Sequence, residues 1–128
     1  MTLTVLNRHI GKPLNPGQWF TIDQSRIDQF AEVTGDHQFI HIDPERARQT
    51  ALGGTIAHGF LTLSLLTTLA KDVMPVPENL VMGINYGFDK VRFLNPVKPG
   101  DAVRLCATVA DVQEKPALVC EWLNFFCE

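Results

Sequence analysis

The amino-acid sequence predicts an α+β domain in which one long helix is wrapped by a curved antiparallel β-sheet. Helical spacing of apolar residues ends before Met74, whereas β-rich and alternating runs fill the remainder of the chain. The run FLTLSLLTTLAKDV is apolar around most of its circumference, so this helix is expected to be buried on most sides. A single domain spanning residues 1–128 is large enough to bury the helix by wrapping a sheet around it.

Two shorter helices are predicted before the long one. The run SRIDQFAEVTGD has helical spacing at four positions: Ile27, Phe30, Ala31 and Thr34. Asp23 or Ser25 can cap its start, and Gly35 suits a left-handed end. The next helix is expected at IDPERARQT, with Asp43 as the N-cap and Pro44 as the first residue, where a missing N–H costs nothing. The residues between these two helices form a tight connection.

The predicted strands follow the breaker MPVPEN, at LVMGINY and FDKVRFL, with NPVKPGD as a turn. In AVRLCATVADV every second residue is apolar: Val103, Leu105, Ala107 and Val109. This period of two is typical of a strand with one buried face. The last run, ALVCEWLNFF, is β-rich throughout. A curved antiparallel sheet clasping one long helix is the shape called a hot dog.

Composition excludes several classes of protein. A net charge of −3 provides no basic surface for a nucleic-acid backbone. Three cysteines without a CxxC pair favour a reduced, cytoplasmic setting. The start, MTLTVLNRHIGK, lacks the pattern of a signal peptide, and no window reaches the roughly 18 uncharged apolar residues of a membrane span. The sequence therefore predicts a soluble domain that binds neither nucleic acid nor membrane.

The stretch TGDHQFIHID places four titratable residues between two helix ends: Asp36, His37, His41 and Asp43. Such groups occur in polar surface loops and also in catalytic sites beside apolar side chains. Five positions apart on an α-helix, Asp36 and His41 would lie about 140° apart. The flanking Gly35 and Pro44 predict instead a bent connection, in which both side chains can reach one water molecule.

Several separated segments resemble the MaoC-like dehydratase family, whose members include (R)-specific enoyl-CoA hydratases. The resemblance lies in FAEVTGDHQFIHIDPERARQ and GGTIAHGFLTLSLL and covers about residues 15–126. It is closer to the nodulation-protein-N-like branch through GDHQFIHIDPERA, IAHGFLTLSLL and INYGFDKVRF. The specific part of the pattern consists of three pieces in order: an Asp and a His five positions apart, then Asp-Pro, and later His-Gly.

The resemblance implies a hot-dog homodimer of fatty acid metabolism that acts on a coenzyme A thioester, with no cofactor besides the coenzyme A of the substrate. Asp36 and His41 would be the catalytic pair, and the backbone N–H of Gly59 would polarise the thioester carbonyl. Three further residues are expected to bind substrate: Gln38, His58 and Ser64. Gln38 and Phe39 stand where many hydratases carry Asn-Pro, a departure that bears on substrate preference more than on the chemistry.

This chemistry adds water at C3 and a proton at C2 of an α,β-unsaturated thioester. A carboxylate and an imidazole that share one water molecule can accept a proton as the nucleophile forms and return one to carbon. The apolar Phe39 and Ile40 lower the local dielectric constant and strengthen charge interactions there. Gly59 begins the buried helix, where the first N–H groups lack intrahelical partners and the helix dipole is positive.

Each of these residues also has a structural interpretation. Asp36 alone fits a helix-terminal turn and His41 alone a structural histidine, but together with the His-Gly helix start they favour catalysis. His58 either lines the site or hydrogen-bonds the loop, and Ser64 either contacts substrate or bonds back to a helix carbonyl. We expect His37 to be solvated. No compact ligand spacing supports metal binding by His41, Asp43 and His58. Lys90 and Arg92 either contact coenzyme A phosphates or form the solvent-exposed face of a strand.

Three functions from different classes compete. The first is an (R)-specific enoyl-CoA hydratase or 3-hydroxyacyl-CoA dehydratase, which is a hydro-lyase. The second is a hot-dog acyl-CoA thioesterase, since fold alone does not determine function. Thioesterases of this shape usually place an acid within the central helix, and residues 59–70 contain neither Asp nor Glu. The third is a non-catalytic module that binds acyl thioesters.

The sheet raises two further expectations. A wrapped sheet leaves an edge strand that a two-fold partner can cover, which favours a homodimer.

Relatives in this branch carry another strand between the counterparts of VADVQE and KPALVCEW. In this sequence Glu114 runs directly into Lys115 without a hairpin turn. Either this strand is truly deleted, or residues absent from the sequence once joined Glu114 to Lys115, and we favour the second.

Overall fold

The computed structural model describes residues 7–76, 82–85 and 87–110, together with the backbone of residues 125–127. None of the helices in these ranges is long and apolar enough to cross a membrane. The elements follow in chain order: β1 (Phe20–Thr21), α1 (Gln24–Thr34), α2 (Phe39–Ile42), α3 (Pro44–Arg48), α4 (Gly59–Ser64), α5 (Leu66–Leu69), a 3₁₀ turn (Ala70–Asp72), β2 (Ala102–Leu105) and β3 (Phe125–Cys127).

The helix ends agree with the local signals of the sequence. Asp23, rather than Ser25, caps α1, because its carboxylate accepts a hydrogen bond from a first-turn N–H at 2.8 Å. Gly35 ends α1 in the left-handed region, with φ of 79°, and its N–H bonds back to the helix. Asp43 caps α3, whose first residue is Pro44. The predicted connection between α1 and α3 contains only the single turn α2.

The described strands form one antiparallel sheet in the order β1-β2-β3. Residues 10–17 extend its edge, since Gly11, Leu14 and Gly17 donate backbone hydrogen bonds to carbonyls of residues 105–109. The predicted alternation in AVRLCATVADV is confirmed at three fully buried positions: Val103, Leu105 and Val109. Short helices before an antiparallel sheet confirm the predicted α+β class.

The long helix predicted over residues 60–73 is present as α4, α5 and the 3₁₀ turn, with a break at Leu65. One side contributes buried residues to the main core: Leu61, Leu65, Leu66 and Leu69. The expectation of burial on most sides is wrong for the described part of the chain, where Phe60 is 69% exposed. Of the described strands, β2 packs against α5, and three strands of two to four residues are too small to enclose the helix.

The strand predicted at FDKVRFL is wrong, because residues 88–94 form no regular element. Residues 82–85 of LVMGINY are also irregular, and the rest of that run is not described. A strand needs a neighbour for its backbone N–H and C=O groups, and within the described ranges residues 88–94 have none. Of ALVCEWLNFF, only its last two residues are described, and they form β3 together with Cys127. The junction of Glu114 and Lys115 lies outside the described residues.

Candidate active site

The bent connection after α1 brings Asp36 and His41 together. Asp36 Oδ2 lies 3.9 Å from His41 Nε2, and the two side chains are 51% and 8% exposed. This separation exceeds a direct hydrogen bond, which spans 2.7–3.2 Å. It is short enough for one water molecule to hydrogen-bond to both atoms. The arrangement thus pairs a buried imidazole with a carboxylate open to solvent.

The hydrogen bonds of His41 determine which of its ring nitrogens can accept a proton. Nδ1 lies 2.7 Å from the carbonyl oxygen of Ile56. A carbonyl oxygen only accepts hydrogen bonds, so Nδ1 must carry the hydrogen. In the neutral ring the lone pair is therefore on Nε2, the nitrogen that faces Asp36. His41 is oriented to take a proton from a water molecule held between the two side chains.

Asp36 is fixed by hydrogen bonds to both its side chain and its backbone. Its Oδ1 accepts a hydrogen bond from the backbone N–H of Gln38 at 3.2 Å, which leaves Oδ2 to face His41. Its backbone carbonyl accepts a hydrogen bond from His58 Nε2 at 3.0 Å. Gln38, predicted to bind substrate, thus contributes its main chain to the geometry of Asp36, and its side chain is exposed.

Gln24 is a part of the site that the sequence did not reveal. Its Nε2 donates to the backbone carbonyl of His41 at 2.7 Å, and its Oε1 accepts from the hydroxyl of Thr55 at 2.6 Å. Thr55 is 5% exposed. The amide therefore joins α1 to His41 and to the loop before α4. No motif marks Gln24, because these partners are 17 and 31 residues away along the chain.

His58 lies directly behind the pair. Its ring is 2% exposed and stacks on the ring of His41, with a centroid distance of 3.8 Å and an interplanar angle of 23°. The ring of Phe30 packs on it at 4.9 Å. Of the two interpretations of His58, hydrogen bonding to the loop is what the structure shows, through the carbonyl of Asp36.

Three of these side chains offer the donor set of a metal site. Asp36, His41 and His58 each present one ligand atom, all within 4.8 Å of one another. The trio considered from the sequence included Asp43, whose carboxylate instead caps α3. Nε2 of His58 donates to the carbonyl oxygen of Asp36 and therefore carries a hydrogen, so this nitrogen has no lone pair for an ion. The observed geometry suits a water molecule between Asp36 and His41 better than a cation.

A cavity of about 260 Å³ lies at the start of α4. Its walls come from Ile56, Ala57, Gly59 and Thr62 and from all residues of the segment 92–97. Asp36 and His41 are not among the lining residues in the described ranges; the link is Ile56, whose carbonyl accepts the hydrogen bond from His41. A Cβ on Gly59 would lie 3.2 Å from the ring of Phe93, so the glycine makes room for that ring.

Three other predicted residues are Ser64, Lys90 and Arg92. The hydroxyl of Ser64 donates to the carbonyl of Phe60 at 2.6 Å, which is the helix back bond considered above, and its role toward substrate stays a prediction. Lys90 and Arg92 are both exposed, and Arg92 lines the cavity.

His37 is exposed and forms an ion pair with Glu32 at 2.7 Å. This hydrogen bond, together with one to the Gly35 carbonyl, raises the pKa of His37 because both partners only accept. The ring contacts neither Asp36 nor His41 through any hydrogen bond of the described residues. His37 therefore stands outside the pair, as the sequence predicted.

Comparison with known proteins assigns this chain to a family. The model of the MaoC-like domain matches residues 5–121. Nodulation protein N of Rhizobium leguminosarum bv. viciae is 51% identical over 105 residues, which cover 81% of this chain and 65% of that protein. The 3-hydroxyacyl-thioester dehydratase Z of Mycobacterium tuberculosis is 44% identical over 104 residues, covering 81% of this chain and 68% of that protein. The chain thus spans less than two thirds of the nodulation protein.

The solved structures agree. The R-hydratase PhaJ1 of Pseudomonas aeruginosa superposes with a TM-score of 0.63 at 28% identity, covering 83% of this chain and 64% of that one. This likeness confirms the predicted hot-dog fold. With the family model matched over most of its length, the chain belongs to the MaoC-like domain family.

Proposed function

We propose that the protein is a hydro-lyase that interconverts trans-2-enoyl and (R)-3-hydroxyacyl thioesters of coenzyme A. The observation that carries the proposal is the Asp36–His41 pair, separated by 3.9 Å with the lone pair of His41 on the facing nitrogen. Relatives named as a 3-hydroxyacyl-thioester dehydratase and an R-hydratase support the same reaction. The proposed enzyme needs no cofactor, works as a homodimer and acts in the cytoplasm.

In the hydration direction, one water molecule lies between the two side chains. Its oxygen adds to C3 while its proton passes to Nε2 of His41, and the imidazolium then returns that proton to C2. Asp36 Oδ2 accepts the second hydrogen bond of the water and faces the positive ring that forms. Dehydration runs through the same steps in reverse.

The thioester carbonyl becomes an enolate during this step, and its oxygen needs hydrogen-bond donors. We assign this role to the backbone N–H of Gly59, which is the first of α4 and has no intrahelical partner by its position. Gly59 is one of the residues that line the cavity, which supports this assignment. Removing one such donor in known enzymes costs about 3–4 kcal/mol of transition-state stabilisation.

The cavity is proposed to hold the start of the acyl chain. Its lining includes the apolar residues Ile56, Ala57, Phe93 and Val97. Arg92 at the same cavity is exposed and carries the charge that a coenzyme A phosphate requires. Gln38 and Ser64, both exposed, are proposed to contact the substrate beyond the pair.

The experiment is a panel of trans-2-enoyl-CoA thioesters of rising chain length, monitored by the loss of enoyl absorbance and by release of free thiol. Hydration without thiol release is the expected result. Thiol release without hydration would make the protein a thioesterase. Saturable binding of acyl-CoA without either reaction would make it a binding module.

A further inference from the structure

We propose that His58 is a positioning residue: its Nε2–H holds the backbone of Asp36, and its ring holds the plane of His41. The inference rests on the proposed function for its catalytic meaning. It assigns His58 to the spacing of the Asp36–His41 pair instead of to substrate contact, which was the other role considered for it.

The first argument is the hydrogen bond between His58 Nε2 and the carbonyl oxygen of Asp36, which spans 22 residues of sequence. Asp36 follows the left-handed Gly35 and belongs to no helix or strand. A residue in such a connection depends on contacts from elsewhere in the fold for its position. His58, at the N-cap of α4 and nearly fully buried, provides a rigid donor for this purpose.

The second argument is the stack of the two imidazoles. At a centroid distance of 3.8 Å the ring of His58 covers one face of His41, and Phe30 packs on His58 in turn. This packing prevents rotation of the His41 ring, whose Nδ1–H is already directed at Ile56. A displacement of about 1 Å in such a constellation can reduce a rate by about 100-fold.

The third argument concerns protons. Since a carbonyl only accepts, the Nε2 of His58 must carry the hydrogen, and the lone pair is left on Nδ1. Nδ1 is buried and has no hydrogen-bond partner among the described residues. The stacked rings therefore hold opposite tautomers, with hydrogen on Nδ1 in His41 and on Nε2 in His58. The lone pair of His41 is on the nitrogen that faces the carboxylate of Asp36. In the proposed reaction His41 therefore accepts the proton of the water molecule, and His58 holds the geometry of the pair.

The first test needs no variant and no substrate. Long-range ¹H–¹⁵N NMR spectra of the wild-type protein at mildly alkaline pH should show the Nδ1–H tautomer for His41 and the Nε2–H tautomer for His58. An Nδ1–H tautomer at His58 would overturn the proposal. This readout is independent of turnover, so it separates failure of the positioning role from failure of the proposed function.

The second test compares three replacements of His58. The amide nitrogen of His58→Gln can reach the place of Nε2, that of His58→Asn is one bond too short, and His58→Phe keeps the stack without a donor. His58→Gln keeps only the donor and His58→Phe keeps only the stack, so we expect each to lose about 10-fold in kcat. His58→Asn keeps neither contact and should lose about 100-fold, and KM should stay nearly unchanged in all three. A raised KM with wild-type kcat would instead mean substrate contact, and full activity of His58→Asn and His58→Phe would also overturn the proposal.

Discussion

Replacing Gln24 by methionine removes three hydrogen bonds while keeping the length of the side chain. One of them, donated to Asp28 Oδ1 at 2.9 Å, is exposed to solvent, so the other two carry the expected effect. The carbonyl of His41 loses a donor at 2.7 Å, and the hydroxyl of the buried Thr55 loses its acceptor at 2.6 Å. A buried polar group left without a partner costs about 1–3 kcal/mol. Gln24 is half-buried, so water reaches part of the vacated space, and we expect a loss of about 2 kcal/mol in the free energy of unfolding.

The control is Gln29→Met on the same helix. Gln29 is exposed, and its hydrogen bond to Ser25 is long, at 3.4 Å. Such a surface change should stay within about 0.5 kcal/mol. Urea unfolding at equilibrium measures both variants against the wild type.

A second variant, at the hydrogen-bond partner Thr55, tests whether the two side chains are coupled. Thr55→Val removes the hydroxyl that Gln24 accepts from, so the double variant leaves fewer groups unpaired than the two single variants together. The combined loss should therefore be smaller than the sum by about 1 kcal/mol. Equal stability of Gln24→Met and Gln29→Met, or strict additivity with Thr55→Val, would refute the role of this amide in holding His41.

Three further predictions concern the surface, the cavity and the assembly. The pKa of His37 is raised by Glu32, so its contribution to stability is complete below the ordinary histidine pKa of about 6.5 and is lost as pH rises through the raised value. His37→Gln should thus lower the melting temperature at about pH 5.5 but not at about pH 9, and an equal effect at both would contradict the ion pair. Gly59→Ala places a methyl group 3.2 Å from the ring of Phe93 and beside the proposed donor, so the rate of hydration should fall. The control is Gly54→Ala, where an added Cβ meets nothing within 4 Å. Equal rates of hydration in the two variants would contradict the proposed role of Gly59. Light scattering at micromolar concentration should give the mass of a homodimer, and a monomer mass would contradict that part of the proposal.

Features with local causes were predictable from the sequence. Asp23, Gly35 and Asp43 each act on backbone groups within four residues. The end of α1 and the start of α3 therefore followed from residue type, and the start of α1 followed except for the choice between Asp23 and Ser25. The bend that unites Asp36 and His41 followed in the same way, from the flanking Gly35 and Pro44.

Features that depend on distant contacts were not predictable. The strand expected at residues 88–94 needs a neighbour that the described part of the chain does not supply, and β-propensity alone does not form a strand. The groups that hold His41, namely Gln24 and the carbonyl of Ile56, come from separate segments and have no sequence motif. The role of His58 was left open for the same reason, because only the fold shows which carbonyl its ring reaches.

The rate of enoyl-CoA hydration by wild type, Asp36→Asn, His41→Gln and the double variant tests the account most directly. Because both groups act on one water molecule, each single variant should lose about 100-fold or more, and the double variant should be scarcely slower than either. Circular dichroism checks that each variant keeps its fold. Hydration by Asp36→Asn at more than about a tenth of the wild-type rate would contradict the assignment of the pair.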